Sequence, residues 1–362
     1  MYSRIFLLIV VGSFLLGCNP KIDKSSEVKF IDKYVIGDSS IVDNTILGGL
    51  SSIDYDGNAF WYFISDDRSE YNDARYYRAR IDYTDKGIDT VIIGKTVFLK
   101  NDSGFNYREH SLDPEAIRFH QNRKTLIYTS EGGRQENNKA PFIREMDTLG
   151  NLIKSYKVPT VFNYYETKGL RKNGGFESLT FENDTIIWFA NELPLKEDGD
   201  VPKYAESKRP IRLTRFDIKN EEVLAEYAYP IEPVQAITKP ANEFNINSVT
   251  ELISLSETEL LVLERSYITG VGNFVNVFKV NVSNATNVMD EPALTQATFT
   301  AVDKELFIDL NQYGERVDNI EGMAFGRDFD SETKSLLFVS DNNFSSQQET
   351  QIWLFGIPAD RL

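Results

Sequence analysis

Cysteine and histidine are nearly absent from this sequence of 362 residues, which has one Cys and two His. A disulfide framework within the chain is therefore excluded, and zinc, iron or copper sites and Cys-His catalysis lack their usual ligands and nucleophiles. Basic residues are also few: 39 Lys and Arg stand against 55 Asp and Glu, which gives a net charge of −16. This balance argues against a nucleic-acid partner, because a protein that follows a phosphate backbone needs a basic face.

Long apolar runs and low-complexity tracts are missing as well. The apolar stretch at residues 5–16 is too short to span a bilayer as a helix. With 41% hydrophobic and 26% charged residues, the chain has the composition of a globular protein with an ample core. Its 24 Phe, 18 Tyr and 22 Gly favour many short strands separated by turns.

The N-terminal segment has the pattern of a bacterial lipoprotein precursor. Arg4 precedes the apolar stretch, which ends in Leu15-Leu16-Gly17-Cys18. This ending resembles the lipobox, in which the cysteine is diacylated and the peptide before it is removed. Acyl chains give durable anchoring, because each buried methylene adds about 0.8 kcal/mol. An ordinary signal peptide with an incidental cysteine is the alternative.

Three segments are predicted on this basis. They are a signal peptide over residues 1–17, a lipidated Cys18 with a flexible tether over residues 18–27, and a single folded domain over residues 28–362. The protein is then expected at the bacterial cell envelope, and Asn19 after the cysteine is compatible with sorting to the outer membrane.

A pair of short apolar runs, with an acidic residue before the first run and another at the end of the second, recurs along the chain. In its clearest copy, Glu177 precedes one run and Glu192 follows the next. Five such units start at positions 51, 115, 177, 251 and 321, so they are separated by 64, 62, 74 and 70 residues. Two further strand-like runs follow each of the first four pairs. Four strands per unit are typical of a blade of a β-propeller.

These units predict an all-β propeller with five four-stranded blades, or six if a long connection contains a degenerate unit. The last unit has only three strands. The segment from Lys29 to Ile36, before the first unit, is predicted to supply the fourth strand and close the ring. Closure of this kind removes free sheet edges. A β-sandwich or two unrelated β domains would also fit alternating strands and turns.

The repeated acids are predicted to converge, because the first strand of each propeller blade lines a central channel. Those before the first strand of a unit are Glu115, Glu177, Glu251 and Glu321. Those after the second strand are Asp66, Glu131, Glu192, Glu264 and Asp341. So many carboxylates cannot all stay ionised without partners, because burying like charges together is unfavourable.

A hard cation would relieve this repulsion. Ca²⁺ takes six to eight oxygen ligands, and the absence of His from the acidic positions favours Ca²⁺ or Mg²⁺ over softer metals. The expected cofactor is Ca²⁺, and its predicted ligands are Asp66, Asp67, Glu131, Glu192, Glu264 and Asp341. In the alternative, the acids are structural and accept backbone N–H bonds or pair with nearby arginines.

Six segments, in order within residues 48–358, carry most of these acids. They are Asp113-Pro114-Glu115-Ala116-Ile117, Ser130-Glu131-Gly132, Gly175-Phe176-Glu177-Ser178-Leu179, Asn191-Glu192, Asn319-Ile320-Glu321-Gly322-Met323 and Ser340-Asp341-Asn342. Together they resemble the "esterase-like activity of phytase" family, also called phytase-like domain proteins. The resemblance implies a secreted or envelope-attached β-propeller with ester or phosphoester hydrolase activity, loosely related to calcium-dependent propeller enzymes. One departure is Ser51, which stands where the other units have Glu.

The predicted function is metal-assisted hydrolysis, in which Ca²⁺ polarises an ester or phosphoester oxygen and lowers the pKa of a bound water. Glu131 or Glu192 would act as the general base. Three arginines that follow the second acids are predicted to bind phosphoryl oxygens, namely Arg68, Arg134 and Arg265. A serine nucleophile is not expected, because the sequence has no G-x-S-x-G motif.

Two other functions fit the same features. One is a non-catalytic propeller lipoprotein that binds a ligand or partner protein on the polar loops at residues 69–76, 134–140 and 194–209. The other is lactonase-type sugar chemistry on a similar metal-centred propeller. The expected partners are a small-molecule ester or phosphoester and, through lipidated Cys18, a membrane.

Overall fold

The second apolar run of each unit forms a buried strand. Trp61–Ser65 and Thr125–Ser130 are buried at every position. Both faces of such a strand are covered, so its sequence is continuously apolar and does not alternate with polar residues. These runs therefore mark the inner parts of sheets that are packed on both sides.

The computed structural model describes residues 27–37, 40–132 and 140–362, and strands dominate it. The first strand is β1 (Lys29–Ile36), and a small hairpin of β2 (Ile41–Val42) and β3 (Thr45–Ile46) follows. Blade 1 comprises β4 (Leu50–Tyr55), β5 (Trp61–Ser65), β6 (Arg75–Thr84) and β7 (Gly87–Phe98). Blade 2 comprises β8 (Pro114–His120), β9 (Thr125–Ser130), β10 (Phe142–Met146) and β11 (Leu152–Tyr156).

The later blades have the same order of strands from the centre outwards. Blade 3 comprises β12 (Phe176–Phe181), β13 (Ile186–Asn191), β14 (Arg209–Asp217) and β15 (Glu222–Ile231). Blade 4 comprises β16 (Asn245–Ser254), β17 (Glu259–Ile268), β18 (Gly272–Asn281) and β19 (Asp303–Asp309). Blade 5 comprises β20 (Asn319–Phe325), β21 (Thr333–Asp341), β22 (Thr350–Pro358) and, as its outermost strand, β1.

The predicted all-β propeller is confirmed, with five blades and not six. Neighbouring strands in every blade are antiparallel. β1 pairs with β22 from Lys29 opposite Gly356 to Ile36 opposite Thr350, so the N-terminal strand completes the last blade as expected. The long connections that left room for a sixth unit form no further blade among the described residues.

The hydrophobic core lies between blades. Five large clusters of buried apolar side chains each combine residues from two adjacent sheets, one cluster for each contact around the ring. In the contact between blades 1 and 5, for example, Phe63 and Ile53 pack with Leu337. Each buried side chain of this kind contributes about 1.5–3 kcal/mol. The ring is therefore held together chiefly by apolar packing, and the polar residues near the axis are left for other roles.

Helices contribute little to this fold. In the described ranges they are short 3-10 turns such as Thr160–Phe162 and Leu310–Tyr313. None of the residues that the structure describes belongs to a helix with the length and apolarity needed to cross a membrane.

Candidate functional site

A β-bulge in the innermost strand of every blade sets the position of the first group of acids. Pairing between the first and second strands shifts at the same level in each blade. The residues at these bulges are Ser51, Glu115, Glu177, Thr250 and Glu321. A bulge breaks the regular alternation of side chains and re-aims the extra residue. In blades 2, 3 and 5 the bulged residue is a glutamate that lines one central cavity.

The second strand of each blade ends beside its bulge and contributes a second side chain to that cavity. In blades 1 to 3 this residue donates its backbone N–H to the carbonyl of the residue two before the bulge, as Glu131 does to Asp113 at 2.9 Å. The side chains at this level are Asp66, Glu131, Glu192, Arg265 and Asp341. Four blades therefore present an acid, and blade 4 presents an arginine.

Blade 4 differs by one residue from the repeat inferred from the sequence. The sequence repeat predicts that Glu251 and Glu264 are equivalent to the acids of the other blades. In the fold, Thr250 is the bulged residue of blade 4, and Arg265 occupies the position of the second acid. Because strand side chains alternate between faces, a shift of one residue sends each glutamate to another environment. Neither Glu251 nor Glu264 lines the cavity.

Glu251 instead pairs with Arg118 across the axis of the ring. The Arg118 Nη2 atom lies 2.7 Å from Glu251 Oε1, and the Ser52 hydroxyl donates to Glu251 Oε2 at 2.7 Å. The same guanidinium donates to the carbonyls of Ile53 and Leu252. Arg118 thus joins innermost strands of blades 1, 2 and 4, further along the channel than the acids, and burial raises the pKa of Glu251 to about 7.

Glu264 lies between blades 3 and 4 in a hydrogen-bonded cluster. It accepts from the Tyr229 hydroxyl at 2.6 Å and from the Asn247 amide at 2.8 Å, and its carboxylate contacts the Lys304 ammonium. The side chains of Glu264, Tyr229, Asn247 and Lys304 are almost entirely removed from solvent. The backbone N–H of Glu232 also donates to Glu264, at 3.1 Å. These partners satisfy the Glu264 carboxylate within the sheet, so it has a structural environment and not a metal-binding one.

Among the described residues, eight acids and two arginines make up the acidic cluster at the base of the cavity. The acids are Asp66, Asp113, Glu115, Glu131, Glu177, Glu192, Glu321 and Asp341. Arg68 Nε lies 2.6 Å from Asp113 Oδ2. Arg265 Nη2 lies 2.8 Å from Glu321 Oε1 and 3.6 Å from Glu192 Oε1. Even with Lys172 and Arg316, which also line the cavity, the basic groups among the described residues are fewer than the carboxylates, so the cluster favours protons or another cation.

Burial and mutual repulsion raise the pKa values of these acids. Burial, followed by the charge of Asp113, raises the pKa of Glu131 to about 8. Burial, followed by Glu321, raises the pKa of Asp341 to about 8. Burial also raises the pKa of Glu192 to about 7, although the guanidinium of Arg265 opposes this shift. The cluster therefore holds protons at neutral pH when no cation is bound.

In the part of the chain that the structure describes, two groups of carboxylates are close enough to hold a metal ion. They are Asp113, Glu115 and Glu131, and Glu131, Glu177 and Glu192, and the ligand atoms within each group lie within 4.8 Å of one another. Glu131 belongs to both groups. All of these donors are hard oxygens, and no His or Cys is among them, so the donor set fits Ca²⁺ or Mg²⁺.

Some residues predicted for the site lie elsewhere. Asp67 is buried outside the cavity, where it pairs with Arg75 at 2.6 Å and accepts the backbone N–H groups of Glu70 and Asn72. It organises the loop between β5 and β6. Predicted Arg134 and the lipidation site Cys18 lie outside the described residues.

The cavity above the acidic cluster has a volume of about 950 Å³. Arg68 and Arg265, both predicted as anion-binding residues, line it together with Asp66 and Asp341. Sequence reasoning missed Asp113, although this residue directly precedes the strand that carries Glu115. It also missed Phe244, an exposed residue that lines the upper part of the cavity. Phe244 lies outside the repeated pattern of acids and apolar runs, so the repeat does not mark it.

Solved structures similar to this chain are propellers or enzymes of low sequence identity. The structure of the Dos1 propeller is 10% identical with a TM-score of 0.32, and the match covers 84% of this chain and 67% of that one. An exo-β-1,3-galactanase from Phanerochaete chrysosporium with β-1,3-galactotriose is 10% identical with a TM-score of 0.47, over 89% of this chain and 63% of that one. An α-L-arabinofuranosidase from Lactobacillus brevis is 10% identical with a TM-score of 0.44, over 88% and 97%.

At these identities and TM-scores, the similarities say nothing about substrate or reaction. The comparison with curated proteins gives no match to the chain. A family model covers most of it: Phytase-like, described as esterase-like activity of phytase, matches residues 45–344. The resemblance carried by the acidic repeats is confirmed, and the chain belongs to the Phytase-like family.

Proposed function

We propose that this protein is a metal-assisted hydrolase of a small-molecule ester or phosphoester. The observation that carries the proposal is the pair of carboxylate groups that share Glu131 at the base of an open cavity. Membership of the Phytase-like family supports the same reaction class. A hydrolase with this site needs no serine nucleophile, because a water molecule attacks the substrate.

Ca²⁺ is the proposed cofactor, with Asp113, Glu115 and Glu131 as its ligands, which leaves Glu192 outside the ligand set. When bound, the ion would polarise the substrate oxygen and lower the pKa of water. On binding of the cation, the carboxylates of the cluster would release their protons, because metal ligands must be deprotonated. Such an exchange would stabilise the eight acids of the cluster, which exceed the basic groups among the described residues of the cavity.

Glu192 is the proposed general base. Its pKa of about 7 lies near the pH at which a base is both deprotonated and basic enough to accept a proton. Glu131 belongs to both carboxylate groups, and its proposed role is therefore that of a ligand. Of the two residues predicted to be catalytic, Glu192 is thus the proposed base and Glu131 a proposed metal ligand.

Arg265 is proposed to stabilise the negative charge that develops on the substrate. It occupies the level at which the other four blades have acids, and it reaches Glu192 and Glu321. A guanidinium is suited to phosphoryl or carboxyl oxygens. Arg68, on the side of blade 1 and paired with Asp113, is a second candidate for the same task.

Attachment to the bacterial cell envelope through a lipid on Cys18 also remains a proposal, which rests on the lipobox-like sequence. Replacement of Cys18 by Ser should release the protein from the membrane fraction and abolish acylation of its N-terminus, as mass spectrometry would detect. An unchanged distribution of the C18S protein would contradict the anchor.

The hydrolase proposal is tested with 4-nitrophenyl acetate and 4-nitrophenyl phosphate, each with excess Ca²⁺ and after chelation. Chelation should abolish turnover, and Glu192→Gln should lower kcat by about 10²–10⁴-fold, the usual contribution of a general base. Glu257→Gln is the matched control, because Glu257 is an exposed glutamate paired with Arg215 outside the cavity. Metal-independent turnover that survives both Glu131→Gln and Glu192→Gln would refute the site. Calcium binding without turnover of any ester would favour the non-catalytic, ligand-binding alternative.

A further inference from the structure

Blade 4 rises above the acidic cluster further than the other blades do. β16 begins four residues before Val249, whereas β4, β8 and β12 begin at the equivalent residue of their own blades. β17 likewise continues four residues beyond Glu264. Four strand residues span about 13 Å. The inner strands of blade 4 therefore form a wall beside the mouth of the cavity.

The cavity side of this wall is apolar and aromatic above Arg265. Tyr267 lies two residues beyond Arg265 on β17, so both side chains share one face of the strand. Ile246 is the cross-strand partner of Tyr267, and the Phe244 ring lies 6.2 Å from the Tyr267 ring. Val271, in the turn after β17, also lines the cavity. Toward the solvent, Arg265 is thus followed by a group of apolar and aromatic side chains, with Asn245 and Asn273 beside them.

This surface is open to solvent even though it is apolar. The Phe244 side chain is 63% exposed and that of Val271 is 37% exposed. The side of the mouth formed by blade 5 is different, since Arg316, Asn343 and Gln347 line the cavity there. Exposed aromatic groups at the edge of a deep polar site are typical of ligand recognition.

We infer that the wall of Ile246, Tyr267, Phe244 and Val271 binds an aromatic group of the substrate. The inference rests on the proposed function, because it takes the reacting ester or phosphoester to lie beside Arg265 and the carboxylate groups. An aryl ring attached to that group would extend along β17 toward Tyr267 and stack on the rings there. The substrate class is then an aryl monoester, and a polyanion is disfavoured because the acidic cluster holds more carboxylates than basic groups.

Binding of two non-hydrolysable probes tests the wall without requiring catalysis. Phenylphosphonate and methylphosphonate carry the same anion and differ only in the ring. With excess Ca²⁺, isothermal titration calorimetry should show phenylphosphonate binding about tenfold more tightly, in line with the ~0.5–1.5 kcal/mol of an aromatic contact and the burial of the ring. Phe244→Ala and Tyr267→Ala should each reduce this preference severalfold and leave methylphosphonate affinity unchanged.

Phe105→Ala is the matched control, since the Phe105 side chain is 71% exposed and does not line the cavity. It should leave both affinities unchanged. Equal affinity for the two probes would overturn the inference, and so would a phenyl preference that survives both Phe244→Ala and Tyr267→Ala. A protein that binds neither probe would overturn it as well. A phenyl preference without hydrolysis of any ester would refute the proposed function and leave the aromatic wall standing.

Discussion

Among single residues, Gly49 shows most directly how the backbone makes room for the acidic cluster. Its φ of +63° lies in the left-handed region, and a Cβ at this position would come within 2.1 Å of Asp66 Oδ1. A side chain here therefore meets both backbone strain and a steric clash with an acid of the site.

Gly49→Ala should consequently destabilise the protein by about 2–4 kcal/mol, with roughly 1 kcal/mol from the backbone and the rest from displacement of Asp66 and of the Phe344 ring, whose nearest carbon would lie 2.7 Å from the new Cβ. Gly104→Ala is the matched control, because Gly104 has a φ of +77° and open space around its Cβ. Urea denaturation of both variants would separate the two effects. Equal losses of unfolding free energy would show that Asp66 and Phe344 move away without penalty.

Arg265 makes a second prediction at the residue scale. Arg265→Gln removes a positive charge that lies 2.8 Å from Glu321, so the cluster should bind Ca²⁺ severalfold more tightly and methylphosphonate at least tenfold more weakly. Calorimetry with each ligand measures the two changes. Arg80→Gln, a change to an exposed arginine outside the cavity, is the control. Weaker binding of both ligands would show instead that Arg265 only holds the acids in place.

Among the elements, most of the blade architecture could be predicted from the sequence. Apolar runs of five or six residues, such as Trp61–Ser65, can be recognised in the sequence. The sequence also shows that the last unit has only three strands and needs a fourth from elsewhere. Blade 4 could not be aligned correctly. Its Glu251 and Glu264 imitate the acids of the other blades, but the bulge at Thr250 fixes a register one residue away. Bulges depend on how two strands meet, and single sequences carry little trace of them.

The closing strand β1 is predicted to be essential. Without it, β22 would expose an unpaired edge and Trp353 would lose its contact with the Phe30 ring, 5.2 Å away. Deletion of residues 1–36 should cause aggregation or loss of the cooperative melt. Deletion of residues 1–26 keeps every strand and is the control. A monomeric 37–362 protein with an unchanged melt, as judged by gel filtration and calorimetry, would contradict this role.

For the whole molecule, the acidic cluster predicts how stability depends on pH. Glu131 and Asp341 have pKa values of about 8 in the folded protein and ordinary, lower values when unfolded. Between about pH 5 and 8 the folded state therefore binds more protons than the unfolded state, so the free energy of unfolding falls as pH rises. Acids with lowered pKa values, such as Glu145, act in the opposite sense but below this window.

Calcium-free protein should accordingly melt on the order of 5 °C lower at pH 8 than at pH 5.5. Excess Ca²⁺ should raise the melting temperature most at pH 8, because the ion binds the deprotonated carboxylates of the native state. Differential scanning calorimetry at both pH values, with and without Ca²⁺, measures this. A melting temperature that rises from pH 5.5 to 8 without metal would mean that the acids have sufficient partners within the protein.

The direction of β1 has a consequence for how the molecule would sit on a surface. Ile36 pairs near the end of the ring that holds the acids, whereas Lys29 pairs with Gly356 at the far end. The chain therefore enters the ring on the face opposite the cavity. The nine residues from 19 to 27 reach at most about 30 Å. If Cys18 carries the proposed lipid, the anchor is attached to the face opposite the mouth of the cavity, which favours access for solutes in the surrounding medium over substrates embedded in the membrane.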